Sequence, residues 1–216
     1  MKKILTSLLL GIALIMSNIP ASAQYEYSPN QASAGIGLIT HCDILEITSD
    51  IILTGFGVAE MKFGSDDEAG IAYNFQYNRR FTKHLSAGAD FTYQRITNGV
   101  YPGWIEKSLS KEEKNEMVGK MKSHYLSLIP LAKLFWFDTK YVGMYSKLGL
   151  GITFLDREYD PCKAQYSHVE KNSNRHCFLG LQLSPIGIEV GRDMRGFLEF
   201  GYGTMGLINF GLEATF

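Results

Sequence analysis

Leu207-Ile208-Asn209-Phe210-Gly211-Leu212-Glu213-Ala214-Thr215-Phe216 closes the chain, and Ile208, Phe210, Leu212, Ala214 and Phe216 fall on one side of it. A period of two is the signature of a β-strand with unlike faces. A water-soluble sheet rarely leaves an aromatic exposed at the end of its last strand, whereas a barrel strand can seat one in an interfacial girdle.

The same alternation recurs upstream. Ile71, Tyr73, Phe75 and Tyr77 lie opposite Ala72, Asn74, Gln76 and Asn78; Leu85, Ala87, Ala89, Phe91 and Tyr93 lie opposite Ser86, Gly88, Asp90, Thr92 and Gln94. Leu126, Leu128, Pro130, Ala132, Leu134 and Trp136 face away from Tyr125, Ser127 and Lys133. Val142, Met144, Leu148, Leu150, Ile152 and Phe154 face away from Gly143, Tyr145, Lys147, Gly149 and Thr153. Cys177, Leu179, Leu181 and Leu183, then Leu198, Phe200 and Tyr202, continue the pattern. With a first strand near 34–40, the count is eight. Short turns near 79–83, 138–141 and 190–196 alternate with long linkers near 41–66, 97–118 and 156–174. The pattern predicts an all-β fold: an eight-stranded antiparallel transmembrane β-barrel with long extracellular loops and short periplasmic turns. A soluble lipocalin-like barrel would carry the same alternation with its apolar face inward. The aromatic terminus and the loop asymmetry favour the membrane barrel. Tyr77, Phe81, Trp136, Phe137, Tyr141 and Phe216 cluster at the short-turn end and read as a periplasmic aromatic girdle.

The beginning of the chain carries Lys2 and Lys3, an uncharged run over 4–16, Pro20 and Ala21-Ser22-Ala23. This is the layout of a secretory signal peptide cleaved before Gln24. The domains expected are therefore 1–23 as a cleaved leader and 24–216 as the barrel. With both lysines gone, 21 basic residues fall to 19 against 22 acidic, about −3 net, which is no basic footprint for nucleic acid. Twenty-two glycines against six prolines suit curved sheets. After the leader no apolar run is long enough for a spanning helix.

The stretch Glu199-Phe200-Gly201-Tyr202-Gly203-Thr204-Met205-Gly206-Leu207-Ile208-Asn209-Phe210-Gly211-Leu212, with Leu183-Ser184-Pro185-Ile186-Gly187-Ile188-Glu189-Val190-Gly191 before it, resembles the close of small outer-membrane β-barrel domain proteins of Bacteroidetes-type bacteria. The resemblance implies an eight-stranded barrel in the bacterial outer membrane and no particular activity.

In this register Asp90, Lys133, Lys147, Glu199 and Glu213 point inward, with Asn74, Gln76, Gln182 and Asn209. The interior of an eight-stranded barrel is just wide enough for side chains to fill. Charges there must pair, so a salt-bridged core linking Lys133 and Lys147 to Glu199, Glu213 or Asp90 is expected, a plug rather than a pore. Of the three cysteines, Cys162 and Cys177 are the candidate disulfide, with Cys42–Cys177 as the rival. His168 and His176 lie between or beside these two, but the spacing matches no zinc pattern, and no metal, cofactor or catalytic set is assigned. Ile44, Ile47, Ile51 and Ile52 suggest a short helix in the first loop, and Ser110-Lys111-Glu112-Glu113 a capping box in the second. His124 could meet the outer leaflet, as a lipid-A-modifying enzyme would need, but Ser123 and Ser127 lie on the other face. The expectation is a non-enzymatic structural or surface-interaction barrel, with a lipid-A-modifying enzyme or a narrow channel as alternatives. Expected partners are outer-membrane lipid and lipopolysaccharide, and the barrel-assembly machinery through the last strand; nucleic acid is not among them.

Overall fold

The computed structural model describes residues 29–45, 70–100, 119–161 and 174–216. The expected leader (1–23), Cys162, His168 and the second-loop capping box lie outside the described residues. Eight strands form the wall: β1 (Asn30–Leu38), β2 (Ala72–Arg80), β3 (Leu85–Val100), β4 (Gly119–Asp138), β5 (Val142–Pro161), β6 (Asn174–Gly191), β7 (Met194–Gly203) and β8 (Ile208–Thr215). Each pairs antiparallel with the next, and β8 closes on β1. The barrel is closed, so all strands find partners and no sheet edge runs its full length.

Side-chain direction follows the alternation. Phe75, Leu134, Leu148, Leu150, Leu179 and Leu212 are each more than half exposed on the outside. Asn74, Gln76, Asp90, Gln182, Asn209 and Glu213 are buried inside. Continuous outward apolar runs such as Ile208–Phe216 cover about the 9–11 tilted residues that cross a bilayer's hydrocarbon core. An exposed apolar belt of this extent is far larger than the patches that soluble monomers carry.

Several boundaries differ from the sequence reading. β1 starts at Asn30, not near 34, because Asn30 and Phe216 exchange backbone hydrogen bonds of 3.0 Å that carry the β1–β8 ladder to the end of the wall. The turn expected over 190–196 contracts to Arg192-Asp193. β5 continues to Pro161 and β3 to Val100, through polar sequence that reads as loop. The reason lies across the strands. On the outward face, Lys120 pairs in register with Asp160, Lys122 with Glu158 and His124 with Asp156. Lys122 reaches Asp160 at 3.1 Å, and Arg175 on β6 reaches Asp156 at 3.3 Å. Opposite charges placed across an antiparallel pair hold it together where apolar side chains no longer do.

Two β-bulges break the strict period. On β4 an extra residue sits between Phe135 and Phe137, so Trp136 and Phe137 both face outward. On β6 the three-residue step from Ser184 to Gly187 matches the two-residue step from Lys147 to Tyr145 on β5, and Pro185 occupies the bulge. Proline has no N–H to give to a ladder, and a bulge is where a sheet tolerates it.

Candidate functional site: the lumen and its mouth

The lumen is a continuous polar network threaded with rings. Lys133 on β4 donates to Glu213 on β8 at 2.7 Å, and its ammonium lies 4.7 Å from the centre of the Tyr145 ring. Lys147 on β5 is ion-paired with Glu199 on β7 and also donates to Gln76 Oε1 at 3.3 Å. Tyr145 Oη (2.6 Å) and Asn209 Nδ2 (3.0 Å) donate to the same Glu199 carboxylate, and Asn74 donates to Asn209 at 2.9 Å. Asp90 accepts from Thr92 rather than from a lysine. These are charge-assisted bonds out of water, where a missing partner is costly.

Nearer the short turns lies a second ionic layer that the sequence reading did not contain. Arg80 donates to Asp138 at 2.6 Å and stacks 3.9 Å above the Phe135 ring. Arg195 is ion-paired with Glu189 and lies 3.5 Å from Asp138. Arg80 and Arg195 sit on the inward parity of their own strands, so continuing the alternation into the turns would have found them. The girdle residues Trp136, Phe137, Tyr141 and Phe216 are about half exposed on the outer wall at this end, as is Tyr77, while Phe81 is half-buried.

At the long-loop end two segments fold inward. Thr204 and Met205, from the β7–β8 connection, are buried in the lumen. The Met205 amide donates to Gln182 Oε1 at 2.9 Å, and its sulfur lies 3.1 Å from Lys147 Nζ. Gly206 at φ +100° makes this fold-back possible, since a Cβ there would lie 2.5 Å from the Leu38 carbonyl oxygen. This is why the last connection is short: it serves the inside of the barrel.

The second segment is the short helix 41–45 that follows β1. The chain enters it through Ile39 at φ 54°, a left-handed backbone that a β-branched residue rarely adopts. The Thr40 amide donates to Asp43 Oδ2 at 2.6 Å, and the Asp43 amide to Thr40 Oγ1 at 3.2 Å, a reciprocal cap. Thr40 Oγ1 donates to Gln94 on β3 at 2.7 Å, and Gln94 Nε2 donates back to the Asp43 carboxylate at 3.0 Å. Cys42 is buried against Ile96, Tyr125 and Leu155, with Phe178 packed on the same cluster. His41 lies edge-on to the Phe178 ring at 5.9 Å and tilted to Tyr202 at 6.4 Å. Burial lowers the His41 imidazole below its ordinary value, opposed by the Gly203 carbonyl it bonds and by the Asp43 carboxylate. Of the first-loop isoleucines, only Ile44 lies within the described residues.

Cys42 faces inward and Cys177 outward, so the rival Cys42–Cys177 pair is not formed. His124 bonds the Tyr93 hydroxyl at 2.9 Å on the outer wall, while Ser123 and Ser127 are buried inside, so His124 has neither serine within reach. Among the described residues no group of three metal-ligating side chains converges.

No protein-family model matches the chain, and no curated protein sequence does. Among solved structures it is similar to Ail, the attachment invasion locus protein of Yersinia pestis. Against Ail in complex with the heparin analogue sucrose octasulfate the identity is 12%, the TM-score 0.40, and the match covers 87% of this chain and 97% of that one. Against a second Ail crystal structure the identity is again 12%, the TM-score 0.36, with 87% and 93% covered. The architecture rests on the pairing of this chain's own strands.

Proposed function

We propose that the protein is a non-enzymatic barrel of the bacterial outer membrane, with a structural or surface-interaction role exercised through its long loops. The observation that carries this reading is the division between the two faces of the wall. The outside is an apolar belt ending in an aromatic girdle, and the inside is filled, among the described residues, with buried ion pairs and their hydrogen-bond partners. Such a wall suits a bilayer, and such an interior suits rigidity rather than transport. Outer-leaflet lipid, including lipopolysaccharide, is the partner of the belt, and the terminal strand β8 is the segment offered to the barrel-assembly machinery. The long loops face outward, and residues 1–23 are removed on export, so the secreted chain begins at Gln24.

Three measurements test this together. Lipid A mass spectra from cells with and without the gene are expected to be identical; a lost or new modification would make the protein an enzyme. Planar bilayers holding the purified barrel are expected to show no steady conductance at neutral pH. A stable open level would make it a channel. The intact mass of the exported protein is expected to correspond to residues 24–216.

A further inference from the structure

We propose that the segment Thr40–Leu45 is an acid-released lid, hinged at Ile39, over the apolar mouth of the lumen. Three independent features of the geometry converge on it. The hinge holds a β-branched residue at φ 54°, a conformation that persists only while the contacts beyond it hold the chain in place. Among the described residues, Gln94 of β3 bonds the lid side chains Thr40 and Asp43, and the His41 ring bonds the Gly203 carbonyl at the end of β7. The lid also has an apolar hold: Cys42 is buried among Ile96, Tyr125 and Leu155.

His41 supplies the trigger. It is buried between Phe178 of β6 and Tyr202 of β7, with its ring bonded to the Gly203 carbonyl. Of the groups that face it, the β6 and β7 elements offer rings and a carbonyl, and its own segment offers the Cys42 thiol and the Asp43 carboxylate. The Asp43 carboxylate, which accepts from Gln94 and from its own cap, favours the charged ring but is outweighed by burial. A doubly protonated ring in the closed lid keeps the Gly203 carbonyl and faces the Asp43 carboxylate but loses most of its water, and the loss outweighs both. The sign follows. The closed lid lowers the affinity of His41 for its proton, so closure is fully favoured above the open-state value of about 6.5 and weakens as pH falls below it. It weakens by up to about tenfold per pH unit until the closed state also protonates. Opening would uncover the ring-lined cup formed by Tyr125 and Phe178 without disturbing the ion pairs beneath.

Cys42 is the built-in reporter. A Cys162→Ser/Cys177→Ser chain leaves it as the only thiol, and 4,4′-dithiodipyridine reacts with thiols even in acid. The rate for the folded barrel in lipid, divided by the rate for the unfolded chain at the same pH, is expected to be low at about pH 7.5 and to climb on acidification toward about pH 5, by up to about tenfold per unit. His41→Phe, or His41→Gln if the first fails to fold, is expected to abolish the climb. Gln94→Leu is expected to raise the rate at every pH with the slope intact. A flat wild-type profile, or the same climb without His41, would overturn the proposal.

Discussion

Lys133 and Glu213 meet at 2.7 Å across the full width of the barrel, from β4 to β8, strands that lie opposite each other in the ring. Neither side chain is reachable by bulk water. The pair ties together parts of the wall that share no backbone hydrogen bond, and β8 is the strand that closes the cylinder.

The consequence for stability depends on how the pair is removed. Lys133→Met alone strands a buried carboxylate and is expected to cost about 3–5 kcal/mol; Glu213→Gln alone strands the ammonium and costs a similar amount. The double substitution Lys133→Met/Glu213→Leu is expected to recover most of that loss, because well-packed apolar side chains often replace a buried ion pair with little penalty. Urea unfolding midpoints in lipid vesicles measure all three. Equal, additive losses in the double variant would mean the pair contributes more than the cost of its own desolvation.

The charge ladder beyond the belt behaves differently because it stands in water. Asp156→Lys would set a second cation beside Arg175 in place of its carboxylate partner and is expected to destabilise the long β4–β5 hairpin by no more than about 1 kcal/mol. The effect should shrink in about 1 M salt, where the screening length falls to roughly 3 Å. Amide hydrogen exchange at 119–124 and 155–160 reads it: faster exchange at low salt only is the expected result, while salt-independent change would remove electrostatics as the cause.

Trp136 tests the girdle. It points outward at the β4 bulge, and the proposed bilayer setting puts it near one interface, so in a Trp104→Phe background its fluorescence is expected to be quenched most by lipids brominated close to the headgroup. Strongest quenching by lipids brominated near the chain ends would put the short-turn end in the wrong place.

Much of this architecture can be read from the amino acids. Lys147, Glu199, Glu213 and Asp90 lie on the inward parity of runs that alternate cleanly, so period and polarity suffice to place them. Asp138 and Glu189 are inward too, yet strict alternation counted from Lys133 or from Gln182 assigns them to the outside. In each case a bulge intervenes, at Trp136-Phe137 and at Pro185, and one extra residue inverts everything beyond it. The strand ends were illegible for another reason. Lysines and acids over 119–124 and 155–161 look like solvated loop, and only their register across two strands shows that they are complementary. His41, Cys42 and Met205 carry no periodic signal, because they come from connections that fold back into the barrel.

The central claim is that one face of every strand meets lipid and the other meets a filled polar interior. Nitroxide spin labels placed one at a time from Asn209 to Thr215, in a cysteine-free chain reconstituted in bilayers, test it most directly. The account predicts high oxygen accessibility at Phe210, Leu212 and Ala214 alternating with low accessibility at Asn209, Gly211, Glu213 and Thr215, and little contact with a water-soluble nickel reagent at the lipid-facing sites. The same period with its phase inverted, or a water-exposed Leu212, would contradict it.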